Sequence, residues 1–147
     1  PDTAATTVVG HARGRPLGEV MGALVTVLDA DPTLITLEVD GWYEVFAPAG
    51  TALPFGLLRF LSGGDSNTSR RRELRLRLLV IGVGSTPEQA RQVCAAMDEA
   101  LRNAALTVSG WSVYRCLPDD EYVMPDLFEG KQVYQRGKIF GIWLDEN

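Results

Sequence analysis

The strongest constraint on this chain is a short alternating run, Glu73-Leu74-Arg75-Leu76-Arg77-Leu78, that leads through Leu79-Val80-Ile81 into Gly82-Val83-Gly84. Charge and leucine exchange at every residue, so a strand here presents one apolar and one cationic face. A helix-start signal follows at once in Ser85-Thr86-Pro87-Glu88-Gln89. Ser85 or Thr86 offers an oxygen to the first free amides, Pro87 suits the first helical position, and Glu88 or Gln89 completes a capping box. Ala90, Val93, Cys94, Met97 and Leu101 then recur at three- and four-residue steps, which predicts a helix with one buried stripe. Strand, glycine-bearing turn and capped helix together occupy 70–104.

The flanking segments group around this unit. Residues 1–15 lack periodicity and are interrupted by Gly10 and Gly14, so they read as a flexible N-terminal arm before a single domain over 16–147. Leu17, Val20, Met21, Leu24, Val25 and Leu28 predict a first amphipathic helix from Pro16 to Ala30, ended by Asp31-Pro32. The weak alternation from Ile35 to Asp40 reads as a short strand or an extended lead-in. Trp42–Phe46 is a strand, and Leu53–Leu61 another, restricted by Pro54 to an edge or to its first residues. Ser62–Ser69 is a polar loop at a long hairpin tip, and Trp111–Leu117 is a further strand. Residues 118–130 read as an acidic loop with embedded Tyr122, Val123, Met124, Leu127 and Phe128, and Val133–Leu144 as the last strand. Runs of strands with only two helices predict α+β: a mostly antiparallel sheet of about five strands with both helices packed on one face.

With 147 residues the chain suffices for one core without disulfide or metal. No apolar run approaches the ~18 residues of a membrane span. The N-terminal sequence lacks the basic and apolar regions of a signal peptide, and a start at Pro1 fits removal of an initiator Met. Cys94 and Cys116 fall in a helix stripe and a strand, positions of buried reduced thiols, which fits synthesis in a cytoplasm. The net charge of −5 argues mildly against bulk nucleic-acid binding, but the charge is patchy. Between Arg59 and Arg77 stand six arginines and two acids; Asp29–Glu44 and Pro118–Glu129 each hold five acids and no base.

Catalytic chemistry finds no purchase. The one histidine, His11, lies in the arm, which removes histidine-dependent triads, and two isolated cysteines make no zinc set. Gly82-Val83-Gly84 has Pro87 where a dinucleotide fingerprint needs glycine, so it reads as a strand-to-helix turn. Asn67-Thr68-Ser69 matches a glycosylation acceptor by chance, and the spacing of Asp119-Asp120-Glu121 with Asp126 or Glu129 fits no calcium loop. No catalytic, cofactor-binding or metal-binding residue is assigned, and the chain does not read as an enzyme. Arg70, Arg71, Arg72, Arg75 and Arg77 suit phosphates or, better, acids of a neighbouring subunit. Candidate interface residues are these arginines with Asp119, Asp120, Glu121, Asp126 and Glu129, joined by Tyr122 and Phe128 as aromatic anchors.

The order of these elements is similar to a known family. An opening helix, Leu53-Pro54-Phe55 leading a strand, a polar loop, the alternating strand, Ser85–Ala90 opening a helix, Gly110-Trp111 starting a strand and a long last strand resemble the tail-terminator (tail-completion) proteins of long-tailed, siphovirus-type bacteriophages. The resemblance spans 16–144; the arm and the 118–130 segment have no counterpart. It implies a structural virion protein of the tail and neck, assembled in the host cytoplasm. Such a protein forms a homo-oligomeric, usually hexameric, ring that caps the tail tube and joins it to the head. Implied partners are other copies of itself, the tail-tube protein and neck or connector proteins. Viral DNA passes nearby without sequence-specific binding, and no membrane is involved. Rival readings are another neck component, such as a head-completion or stopper protein, and a cytoplasmic nucleic-acid- or ligand-binding module using the arginine strand.

Overall fold

The computed structural model describes residues 16–67, 72–128 and 130–147. In chain order the elements are α1 (Leu17–Ala30), α2 (Pro32–Thr36), β1 (Trp42–Glu44), β2 (Phe55–Asn67), β3 (Arg72–Gly84), α3 (Pro87–Leu101), β4 (Thr107–Val108), β5 (Trp111–Phe128) and β6 (Lys131–Glu146). The strands form one sheet in the order β1-β2-β3-β6-β5-β4. Only β1 and β2 run parallel; every other neighbouring pair is antiparallel. The expected α+β class is observed, with six strands rather than about five.

The alternating run behaves as its pattern dictates. Leu74, Leu76, Leu78 and Val80 of β3 point to the helices, beside Phe140, Ile142 and Leu144 of β6, and all are buried. Val93, Met97 and Leu101 of α3 and Val20, Leu24 and Leu28 of α1 cover them. Thr86 proves to be the cap: its Oγ1 accepts from the Gln89 amide at 3.1 Å, while Gln89 Oε1 accepts from the Ser85 amide at 2.7 Å. Gly82 and Gly84 lie directly under α3. A Cβ on either would come within 2.7 Å of Val93 or of the Ala90 amide nitrogen, so the pair serves close helix–strand packing.

Past Leu78 the strand is apolar on both faces. Leu79, Ile81 and Val83 join Phe55, Leu57 and Val133 in a second cluster on the side opposite the helices. Gly137 of β6 sits opposite Ile81, and there the strands approach so closely that a Cβ would lie 2.3 Å from the Val80 carbonyl oxygen.

Three expectations need correction. Ile35 begins no strand: Asp31 caps α2, its carboxylate accepting from the Leu34 amide at 3.0 Å with Pro32 at the first turn, so the residues that end α1 start another helix. Residues 118–128 are not a loop but the distal half of β5, paired with β6 as far as Phe128 opposite Lys131. Pro118 and Pro125 disguise this alternation, and an edge strand tolerates them because its outer side needs no amide donor. The 62–69 segment is likewise strand as far as Asn67, paired with Arg72.

One ion cluster ties α3 to the sheet. Asp98 accepts from Lys138 Nζ of β6 at 2.7 Å and from Arg102 Nη2 at 3.0 Å. Burial opposes ionisation of Asp98, but the hydrogen bonds from Lys138 and Arg102 outweigh it and hold its carboxyl below the ordinary 3.8. A depressed folded-state pKa gives stability that is present above the ordinary value and lost as pH falls through the folded one. Asp98→Asn should therefore cost about 1.5–3 kcal/mol at neutral pH, the worth of charge-assisted hydrogen bonds. Denaturant melts at neutral and acid pH should show the difference between variant and parent shrinking as pH falls below 3.8.

Candidate functional site

The sheet surface opposite the helices divides into two zones. At the end where β3 begins, three register-matched residues form a layer: Arg75 on β3, Trp143 on β6 and Arg115 on β5. Trp143 lies between the two guanidiniums, Arg75 at 4.8 Å from its ring centroid and Arg115 at 5.3 Å. One layer further, Arg77 lies opposite Gly141. Asp119, the extra residue of a β-bulge between Pro118 and Asp120, reaches both cations, with Oδ2 at 3.4 Å from Arg75 and Oδ1 at 3.4 Å from Arg77. These contacts are long and partly solvated, so each is worth at most about 1 kcal/mol. Arg75 and Arg115 stay exposed, and Arg77 is half-buried.

The second zone is apolar. Val45, Phe46, Phe55, Leu57, Phe128 and Val133 line a cleft of about 290 Å³, with Arg59 and Gln135 as its polar members. Gln135 is buried, and Tyr122 donates its hydroxyl to Gln135 Oε1 at 3.1 Å. The recess contains no base, nucleophile or ligand cluster. Both thiols are free and buried; burial raises the Cys94 pKa and pushes that of Cys116 up to about 12, so neither is a ready thiolate. Among the described residues no group of three or more ligating side chains could hold a metal.

The predicted interface residues separate accordingly. Arg75, Arg77 and Asp119 meet one another within the chain. Asp120 and Glu121 are exposed on β5, opposite Ile139 and Lys138. Tyr122 and Phe128 pack onto the second cluster of their own chain, Phe128 at 5.0 Å from the Phe55 ring. Among the described side chains, the large hydrophobics that β5 exposes are Tyr114, Val123 and Met124, 52%, 65% and 48% accessible. Arg72 and Asp126 are paired in the sheet to Asn67 and Val133, whereas Arg70, Arg71 and Glu129 lie outside the described residues, as does the predicted arm 1–15. Sequence reasoning missed Arg59, Arg115 and Trp143. The signal for the last two was cross-strand register, which no single segment carries.

Among the described residues, one face of the sheet is covered by helices and the other carries charged, aromatic and apolar side chains. The family model of tail completion protein gp17 matches residues 22–126, and this chain belongs to that family. Its fold is similar to that of a chain in the virion of a native gene transfer agent particle. That match has a TM-score of 0.74 and 17% identity, and covers 88% of this chain and 96% of the other. No curated protein matches the sequence significantly. The protein is thus a structural component of a phage-type virion, of the tail and neck. No helix among the described residues is long and apolar enough to cross a membrane.

Proposed function

We propose that this chain is a tail terminator: identical copies close into a hexameric ring that caps the tail tube and joins it to the head or neck. The observation that carries this reading is the tail-completion family match over 22–126. A closed ring of head-to-tail contacts needs two unlike, complementary surfaces on every subunit. The arginine face of Arg75, Arg77 and Arg115, and the exposed acids Asp120 and Glu121 with those of 29–44, supply the opposed charges. Arg70, Arg71, Arg72, Asp126 and Glu129 are proposed as further contact residues by their charge and their nearness in sequence to these groups. Function then lies in interface geometry rather than catalysis, with the tail-tube protein on one side of the ring and neck proteins on the other. DNA passes through without sequence-specific contact.

Native mass spectrometry of the protein incubated with tail tubes tests this. The expected result is a single hexameric species of the 16.0 kDa subunit, or hexamers retained at tube ends. Protein that stays monomeric and leaves the tubes uncapped would refute the reading.

A further inference from the structure

The apolar cleft on the open face of the sheet has a floor, a rim and a charge that the chain itself leaves unused. Phe55 and Leu57 of β2, with Phe128 and Val133 beyond them, form the floor. Phe46 is at the rim, 80% accessible and the most exposed large hydrophobic among the described residues.

Phe46 is held there against strain. Val45, just before it, has a φ of +68°, a region that β-branched residues scarcely enter. The Val45 amide donates to the Leu58 carbonyl at 3.0 Å, which pins it to β2. The next amide, that of Phe46, donates back to the Glu44 carbonyl at 2.7 Å. A bond spanning two residues with a positive φ between them is the strained form of γ-turn. Strain of this kind collects where a backbone clamps a ligand.

The charge is Arg59, two residues beyond Leu57 and so on the same face of β2. Among the described residues it makes no ion pair, and its Nε is buried without a hydrogen-bond partner. A guanidinium so placed suits a carboxylate, which it can hold through two parallel N–H groups.

These features select an occupant. At about 290 Å³ the cleft falls just short of the ~300–1,000 Å³ of small-molecule and cofactor sites, so it fits an anchoring side chain better than a whole ligand. β1 already covers β2 at Gly56–Leu58, so the occupant binds through side chains and not as an added strand. A single cation among apolar walls does not suit nucleic acid, whose phosphates come in series. We propose that the cleft docks a peptide segment of another virion protein. A bulky apolar side chain of that segment sits against Phe46 and Phe55, and a neighbouring carboxylate pairs with Arg59. The tail-completion reading above supplies the partner, and the ring can stand without this contact.

Photo-cross-linking in assembled particles tests it. Phe46 is replaced by p-benzoylphenylalanine, at a position too exposed to matter for the core. Irradiation should link it to one segment of a different virion protein. Mass spectrometry of the linked peptide should show a carboxylate within about two residues of a bulky apolar side chain, the reach that one cleft and one arginine allow. Arg59→Glu should lower the yield of this link at least about tenfold, as like charges facing each other demand. Changing the segment's acid to lysine should then restore it. Links only to second copies of this chain, or particles that carry the probe and give no link, overturn the docking and leave the ring standing. A linked segment without an acid, or a yield unmoved by Arg59→Glu, overturns it equally. A wild-type chain that never enters particles overturns both.

Discussion

Gly137→Ala should destabilise the protein by about 3 kcal/mol, because no smaller movement than a shift of β3 from β6 makes room for the new methyl. The Cβ would fall 2.3 Å from the Val80 carbonyl oxygen and 2.8 Å from the Ile81 Cα. Those are backbone atoms of a central strand, and they cannot swing aside as a side chain does. The loss corresponds to a fall of roughly 6–12 °C in melting temperature for a domain of this size, read by thermal circular dichroism. Gly18→Ala, in α1 with nothing within 4 Å of the added methyl, is the control and should stabilise slightly. A Gly137→Ala protein melting with the parent would show that the two strands are not as close as described.

Phe140→Ala should cost about 3–5 kcal/mol, the transfer free energy of the ring plus the cavity it leaves. Phe140 is fully buried in β6, between Leu78 of β3 and Pro118 of β5 in the register, and belongs to the cluster that α3 covers. Since a whole domain is stable by only about 5–15 kcal/mol, this single truncation removes a large share of the margin. In urea the midpoint should drop with the slope unchanged, as expected when stability falls and the unfolded surface does not. A midpoint within error of the parent would contradict the placement of Phe140 at the core's centre.

Sequence alone disclosed what depends on neighbours in the chain. The Thr86 cap, the stripe of α3 and the leucine face of β3 each rest on spacings of two, three or four residues, and each appears where those spacings put it. What stayed hidden depends on pairing across the sheet. The 118–128 segment looks like an acidic loop because its prolines and carboxylates are loop-formers locally; only β6 alongside reveals it as a strand. The Arg75–Trp143–Arg115 layer draws on three strands distant in sequence, so no window contains it. Tyr122 and Phe128 looked like anchors for another protein, yet their rings complete a second cluster whose existence follows from β3 being apolar on both faces past Leu78. Leu34 and its short helix were masked by a weak alternation, although Asp31-Pro32 held the start signal.

The same distinction bears on function. Element order was enough to suggest the family. Which surfaces meet was not legible, because charge runs in sequence do not say whether a cation is already engaged. Arg75 and Arg77 share Asp119 with each other, whereas Arg59, isolated in sequence from the other arginines, lies beside the open edge of β2 without a carboxylate.

Electron cryo-microscopy of the assembled virion tail is the most direct measurement of the central claim. The account predicts this fold as a closed ring at the end of the tail tube nearest the head, its subunits related by rotation about the tube axis. Density for the fold as isolated copies, or at another position along the tail, would contradict it.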